Sequence, residues 1–326
     1  MVKTEKNELL RLENIQVYFP VSKLGGRAYL KAVDDVSFSI RQGETVGLVG
    51  ESGCGKSTLG KAIVGLNKIT GGKIYYHGED IRSLSGSAKK HFRKNVQMVF
   101  QDPAASLNPR MKVEEIVSEP LLFHSQIDKS DRKERVRRII NTVGLQDDAV
   151  NRYPHEFSGG QQQRIGIARA IIGNPEFIVC DEAVSALDVS VQAQVLNLLK
   201  ELKSEYGLTY LFISHNLSVI KHMCDRIVVM YLGRLVEIGT REQIFRNPLH
   251  PYTRALISAI PIADADIRSR RIILEGDLPS PINIPNGCPF HTRCVECRED
   301  CGEIVPKLVE VEKEHFVSCL NWSSVT

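Results

Sequence analysis

Short apolar runs, broken by glycine, proline or charge, set the rhythm of this chain. "ETVGLVG" (44–50) is almost unbroken apolar, as a strand buried on both faces requires, and "KSTLGKAIVGL" (56–66) follows with the spacing of a helix. Phe177 to Cys180 in "EFIVCDE" predict another short buried strand, and "LTYLFISH" (208–215) one more. Between them "VEEIVSEPLLFH", "KERVRRIINTVGL" and "QQRIGIARAII" carry helical patterns. Earlier, "LLRLENIQVYF", "AVDDVSFSI" and "GKIYYHGEDI" read as strands, with "VSKLGGRAY" (21–29) as a polar surface loop. After residue 260 the periodicity stops. "EGDLPSPINIPNGCPF" holds four prolines and two glycines, so a loop-rich segment begins there.

Composition narrows the class. The 326 residues leave room for roughly two domains. A net charge of +3 is too small to argue for nucleic acid, and the basic runs "KKHFRK" (89–94) and "DRKERVRR" (131–138) read as solvated helix faces. No nucleic-acid partner is expected. No stretch approaches the roughly 20 apolar residues needed to cross a bilayer, and the start lacks the apolar core of a signal peptide. The expectation is a cytoplasmic protein, held at a membrane only by partners, whose thiols stay reduced.

The chemistry begins at "GESGCGKST" (50–58). Gly50, four residues and then Gly55-Lys56-Ser57 fit the phosphate-loop pattern, with a strand before it and a helix after it. Glycines let the loop wrap a phosphate so that successive N–H groups of Gly50, Glu51, Ser52, Gly53, Cys54, Gly55, Lys56, Ser57 and Thr58 line the cradle, beside the positive end of the helix. Lys56 would bridge the β- and γ-phosphates, and the Ser57 hydroxyl would ligate Mg²⁺. Cys54 is most simply a small filler. At the end of the 177–180 strand, where a parallel sheet faces its ligand, Asp181 would hold the Mg²⁺ shell and Glu182 would polarise the attacking water. "FSGGQ" places Ser158, Gly159, Gly160 and Gln161 ahead of a helix, a second anion cradle in one chain, read as closing over a nucleotide held by another subunit. His215, after an apolar strand, is placed to touch the γ-phosphate.

In this order the motifs resemble those of the ATPase subunits of ABC transporters over about residues 8 to 260. The resemblance implies an α/β fold of P-loop NTPase type, with a RecA-like core, an antiparallel β subdomain and a helical subdomain over 102–174. It also implies a small irregular cysteine-rich C-terminal domain at 261–326. Gln101 in "MVFQDP" matches the glutamine that senses Mg²⁺ and the transmembrane subunits. "SALD" (185–188) would carry Ser185 and Asp188 to a partner ATPase. An aromatic residue near "VYFP", Phe19 by preference or Tyr18, would stack on adenine. "QDPAASLNPRMKV", "NPLHPYTRALISAIP" and the tail are similar to the dipeptide and oligopeptide importers in particular, closer to the second of their two ATPases. Two permeases, a partner ATPase and an extracytoplasmic binding protein follow from that likeness, with a place on the cytoplasmic face of the membrane. Nickel importers are close cousins. A DNA-repair ATPase would need a long coiled coil, and a ribosome-associated one a second cassette; neither pattern is present.

Eight cysteines include five between 288 and 319. Free thiols, tetrahedral zinc or an iron–sulfur cluster are all compatible with Cys288, Cys294, Cys301 and Cys319. The resemblance to the peptide importers implies a [4Fe–4S] cluster, with zinc as the alternative; the family pattern has no ligand at Cys297, although its C-x₂-C spacing with Cys294 lets it substitute.

Overall fold

The computed structural model describes residues 7–23, 26–124, 128–260 and 272–322. In chain order the elements begin with β1 (Glu8–Lys23), β2 (Gly26–Arg41), β3 (Thr45–Val49), α1 (Lys56–Ile63), β4 (Gly71–Tyr76) and β5 (Glu79–Asp80). Then come α2 (Gly86–Asn95), β6 (Val96–Val99), α3 (Pro103–Ser106), α4 (Val113–His124), α5 (Lys129–Thr142), α6 (Gly159–Ile171) and β7 (Phe177–Asp181). The chain continues with α7 (Val189–Tyr206), β8 (Thr209–Ile213), α8 (Leu217–Met223), β9 (Arg226–Tyr231), β10 (Arg234–Thr240), α9 (Arg241–Arg246) and α10 (Pro251–Ser258). Two short strands in the tail close the series, β11 (Val309–Glu312) and β12 (His315–Val317).

The chain divides into two compact units, each visited more than once. Among the described residues, the first gathers those within 7–10, 40–44 and 75–213, and the second those within 11–39, 45–74 and 214–322. In the first, β8, β7 and β6 lie side by side and parallel, with Asp181 opposite Ile213 and Val96 opposite Phe177. Every residue of β7 and β8 is buried, as their unbroken apolar sequences demand. Helices α3 to α6 occupy the interval between β6 and β7 and supply the expected helical subdomain. The basic segments of α2 and α5 are largely exposed, as solvated faces should be. β4 and β5 pair antiparallel, Tyr75 opposite Asp80.

In the second unit the strand order is β11-β12-β10-β9-β3. β3 and β9 are parallel, β9 and β10 antiparallel, and β12 adds antiparallel to β10 with Glu237 opposite Val317. The cysteine-rich tail therefore extends this sheet. Glu237 is fully buried and accepts three bonds: from Leu249 N–H (2.8 Å), His250 N–H (2.9 Å) and the equally buried His315 Nε2 (2.8 Å). Three donors on one carboxylate satisfy a charge that could not otherwise be buried.

Two sequence expectations change. The loop expected over 21–29 is mostly strand, because β1 runs to Lys23 and β2 starts at Gly26; Leu24 and Gly25 lie outside the described residues. The helix after the phosphate loop stops at Ile63 rather than Leu66, where Gly65 takes φ +77° and ends it.

Candidate active site

In the second unit β3 hands the chain to the phosphate loop through Gly50, at φ +151°. A Cβ there would meet Met230 O at 2.1 Å, and one on Gly55, at φ +104°, would meet Ala32 O at 1.9 Å. Only glycine fits either position. Gly53, at φ +80°, has nothing within 4 Å of its Cβ direction, so this side of the loop is open. Lys56 opens α1 and is buried. Its ammonium donates to Gly50 O (2.8 Å) and Glu51 O (2.9 Å), which folds the lysine across the loop it serves. The Cys54 thiol is buried and held high by desolvation, with the Lys56 charge pulling the other way; it is filler, as expected. The described geometry is a glycine-lined loop with a buried cation folded across it.

The same unit places the two aromatic candidates differently. Tyr18 hydrogen-bonds Asp34 through its hydroxyl, and Arg234 grips the same carboxylate at 2.9 and 2.7 Å. Burial would raise the Asp34 pKa, but the bonds from Tyr18 and Arg234 outweigh it and hold it low. Burial and Asp34 together push the Tyr18 phenol up. Tyr18 is thus engaged in structure, while Phe19 is 40% exposed. Ser214 N–H donates to Leu48 O (3.3 Å), which lays the segment carrying exposed His215 beside the strand that delivers the phosphate loop.

In the first unit Asp181 is buried at the end of β7 and Glu182 follows it at φ +45°, a left-handed conformation unusual for a residue with a side chain. Its N–H is fixed by Ile213 O at 3.0 Å. Gln101 Nε2 donates to Glu182 Oε2 at 2.9 Å, so two residues 81 apart in sequence meet. Ser185 Oγ donates to Glu182 O (3.0 Å), tying the "SALD" turn to the acid, and Asp188 stands at the N-cap position of α7 without a side-chain bond to the helix. At the start of α6 a capping box joins Ser158 and Gln161: Ser158 N–H to Gln161 Oε1 at 3.0 Å and Gln161 N–H to Ser158 Oγ at 3.4 Å. Ser158, Gly159 and Gln161 are exposed, and a Cβ on Gly160 would meet Val191 at 2.4 Å. Phe157 is buried under the Arg152 guanidinium, 4.5 Å from its ring centre.

Two residues of the second unit that the sequence reading missed touch the phosphate loop. Glu51 N–H donates to the Tyr252 hydroxyl (2.7 Å), and the Glu51 carboxylate takes a two-pronged bond from Arg293 (2.7 and 3.1 Å). Arg293 lies 242 residues away, and no local pattern marks it.

In the tail Cys288 and Cys301 are buried, Cys294 and Cys319 half-buried and Cys297 exposed. Cys288 N–H donates to Cys301 O (2.8 Å), and Asn321 N–H points at Cys319 Sγ (3.4 Å). Burial raises the Cys288 thiol to about 11 and the Cys294 thiol to about 12, with Cys319 adding to both. Among the described residues no group of three or more histidine, cysteine, aspartate or glutamate side chains is set to hold a metal ion.

Glycine loop, lysine and strand-end acids define a P-loop ATPase of the cassette type. The ABC transporter family matches residues 33–185, and the oligopeptide/dipeptide transporter C-terminal region matches 236–301. The oligopeptide transport ATP-binding protein AppF of Bacillus subtilis is 50% identical, over 98% of this chain and 99% of its own length. OppF of Salmonella typhimurium is also 50% identical, over 97% of each. The solved cassette MJ0796, in a dimeric post-hydrolysis state with ADP and Pi, is 29% identical at a TM-score of 0.65, covering 72% of this chain and 99% of its own. The chain belongs to the ABC transporter ATP-binding family, in the branch that carries the oligopeptide/dipeptide C-terminal region. Members of this family hydrolyse ATP, and this chain is an ATPase subunit.

Proposed function

We propose that this chain energises the import of oligopeptides, by binding ATP on the 50–58 loop and hydrolysing it with the acids at the end of β7. The observation that carries the reading is Lys56, buried and pinned across the glycine loop by Gly50 O and Glu51 O, where it can turn to the β- and γ-phosphates. The backbone N–H groups of the loop bind the phosphates, except that of Glu51, which the Tyr252 hydroxyl takes, and Phe19, exposed, stacks on adenine. Ser57, Gln101 and Asp181 offer the oxygen donors that suit Mg²⁺, which when bound neutralises phosphate charge. Glu182, oriented by Gln101, takes the proton of the attacking water. His215 contacts the γ-phosphate. Ser158 to Gln161 and Asp188 serve the nucleotide of a partner ATPase subunit.

The peptide assignment rests on relatives named as oligopeptide transport proteins that match 97–98% of the chain, and on the transporter C-terminal region that matches residues 236–301. Among the described residues no helix is long and apolar enough to cross a membrane, so two permeases would hold the subunit at the membrane's cytoplasmic face. Cys288, Cys294, Cys301 and Cys319 would hold the [4Fe–4S] cluster. The thiols are close enough to act on one another: Cys319 and Cys301 raise Cys288, Cys319 and Cys288 raise Cys294, and Cys301 raises Cys319, while Cys288 N–H also donates to Cys301 O. Four thiolates suit such a cluster.

Calorimetric titration of the full chain with Mg·ATP tests the site: wild type binds, and Lys56→Ala weakens binding by roughly 100-fold, the scale of losing a charge-assisted contact. Equal affinity would sink the reading. Uptake of a labelled oligopeptide by cells in which Glu182→Gln replaces wild type should stop. If nickel uptake stops and peptide uptake continues, the cargo is the metal.

A further inference from the structure

The phosphate loop carries an acid, and that is an electrostatic problem. Glu51 stands next to Gly50 in a loop built to gather polyphosphate, and its carboxylate is about 29% exposed. A negative charge so close to the ligand repels it. Glu51 N–H, which could have faced an anion, is turned instead to the Tyr252 hydroxyl at 2.7 Å. The carboxylate takes both prongs of Arg293, at 2.7 and 3.1 Å, from a guanidinium only 8% exposed. Arg293 is fixed in turn by its place between Phe290 and Cys294: Arg293 N–H donates to Phe290 O (3.0 Å), and Phe290 packs on Tyr231 and Tyr252 with ring centres 5.2 and 5.4 Å away. The fork geometry and burial make this pair stronger than an exposed ion pair.

We propose that Arg293 is a positioning residue for ATP: it neutralises Glu51 and holds that end of the phosphate loop, so that the cysteine-rich tail sets the affinity of the nucleotide site. This rests on the nucleotide reading above. Both prongs of its guanidinium are spent on Glu51, so its effect runs through that carboxylate.

The experiment is a double-mutant cycle on the full chain, with Mg·ATP affinity and stoichiometry read by calorimetry. Stoichiometry counts the folded molecules separately from Kd. Arg293→Gln leaves Glu51 as an unpaired anion, and Kd should rise about tenfold, the scale of one nearby unit charge at a partly wet site. In a Glu51→Ala background the same substitution should change Kd less than about twofold, because the charge it neutralised is gone. Arg293→Lys keeps the charge without the fork and should stay within about threefold of wild type. Raising salt from about 0.05 to 0.5 M should shrink the Arg293→Gln effect. An unchanged Kd in Arg293→Gln overturns the proposal. So does an equal rise in both backgrounds, which would mean that the arginine acts only by holding the tail together. If Arg293→Gln does not fold, an Arg293→Lys affinity as poor as that of Lys56→Ala overturns it as well. Lys56→Ala run alongside separates the two readings: if it binds Mg·ATP like wild type, the nucleotide assignment itself has failed.

Discussion

Glu237→Ala is the substitution whose consequence the structure defines most fully. It removes one buried carboxylate and strands three donors: the N–H groups of Leu249 and His250 and the Nε2 of His315. Each buried donor left without a partner costs about 1–3 kcal/mol, so the two backbone groups alone set a loss of about 2–6 kcal/mol. That is a large part of the roughly 5–15 kcal/mol that a domain has to lose. The loss falls on β10 where it meets both the start of α10 and, through His315, the tail strand β12; β12 is the shorter and outer of the two strands, so the tail should detach first. Trp322, the chain's only tryptophan, sits half-buried shortly after Cys319 and reports that step, while far-UV ellipticity reports the helices. In urea the Trp322 midpoint should fall by roughly 1–2 M, from the usual dependence of stability on denaturant, and should precede the ellipticity change. Glu237→Gln should do less. Its carbonyl can keep Leu249 and His315, and only the contact to His250 N–H becomes donor against donor, for about 1–3 kcal/mol. A Trp322 midpoint unmoved by Glu237→Ala would show that the carboxylate does not hold the tail in place, and the reasoning would fall.

Other outcomes are as definite. Glu182→Gln should bind ATP yet slow hydrolysis by roughly 10²–10⁴-fold, the usual scale for losing a general base; wild-type turnover in a steady-state phosphate-release assay would remove Glu182 from that role. His250 is fully buried and its pKa is pushed down to about 4 by desolvation. The unfolded chain takes up this proton below about pH 6.5 while the folded chain resists it to about pH 4. Stability should therefore drain away as pH falls across that window, by roughly 3 kcal/mol. His250→Asn, which can still cap α10 by accepting from Tyr252 N–H, should flatten the pH dependence of the melting temperature between 6.5 and 4; an identical slope would refute it. Cys301→Ser should abolish iron binding in anaerobically prepared protein, whereas Cys297→Ser, at an exposed site, should keep it. The reverse result would exchange their roles.

What the sequence made legible was local. A strand, a glycine loop and a helix follow one another directly around Gly50, and their spacing is a local pattern that the sequence displays without the contacts from Ala32, Met230 and Arg293 that hold the loop in the fold. The buried strands at 177–181 and 209–213 were legible because a strand covered on both faces must be apolar throughout. The pairing of Gln101 with Glu182 was half legible: both were singled out, but not their bond. Three features were out of reach for a common reason. "RLVEIGT" reads as a strand with Glu237 turned to water, and only the donors arriving from Leu249, His250 and His315 make its burial tolerable. "HFV" is too short to show any period, and is a strand because β10 offers it an edge. Arg293 is one arginine among many until the fold brings it to Glu51.

The β10–β12 pairing also has a history in time. Glu237 and His315 are 78 residues apart, and synthesis at about 5–20 residues per second separates their appearance by roughly 4–16 s. Through that interval the growing chain holds a strand with an open edge and a carboxylate whose histidine does not yet exist. The segment that leads into helix α10 can supply the two backbone donors early, since Leu249 and His250 follow Glu237 by only 12 and 13 residues, but the edge itself stays unpaired until β12 emerges. An exposed edge invites pairing with whatever strand is nearby, including that of a neighbouring nascent copy. The vulnerable moment for this protein therefore lasts until β12 has emerged, and a factor that shields nascent chains should matter more for it than for a cassette whose sheet closes on strands made earlier.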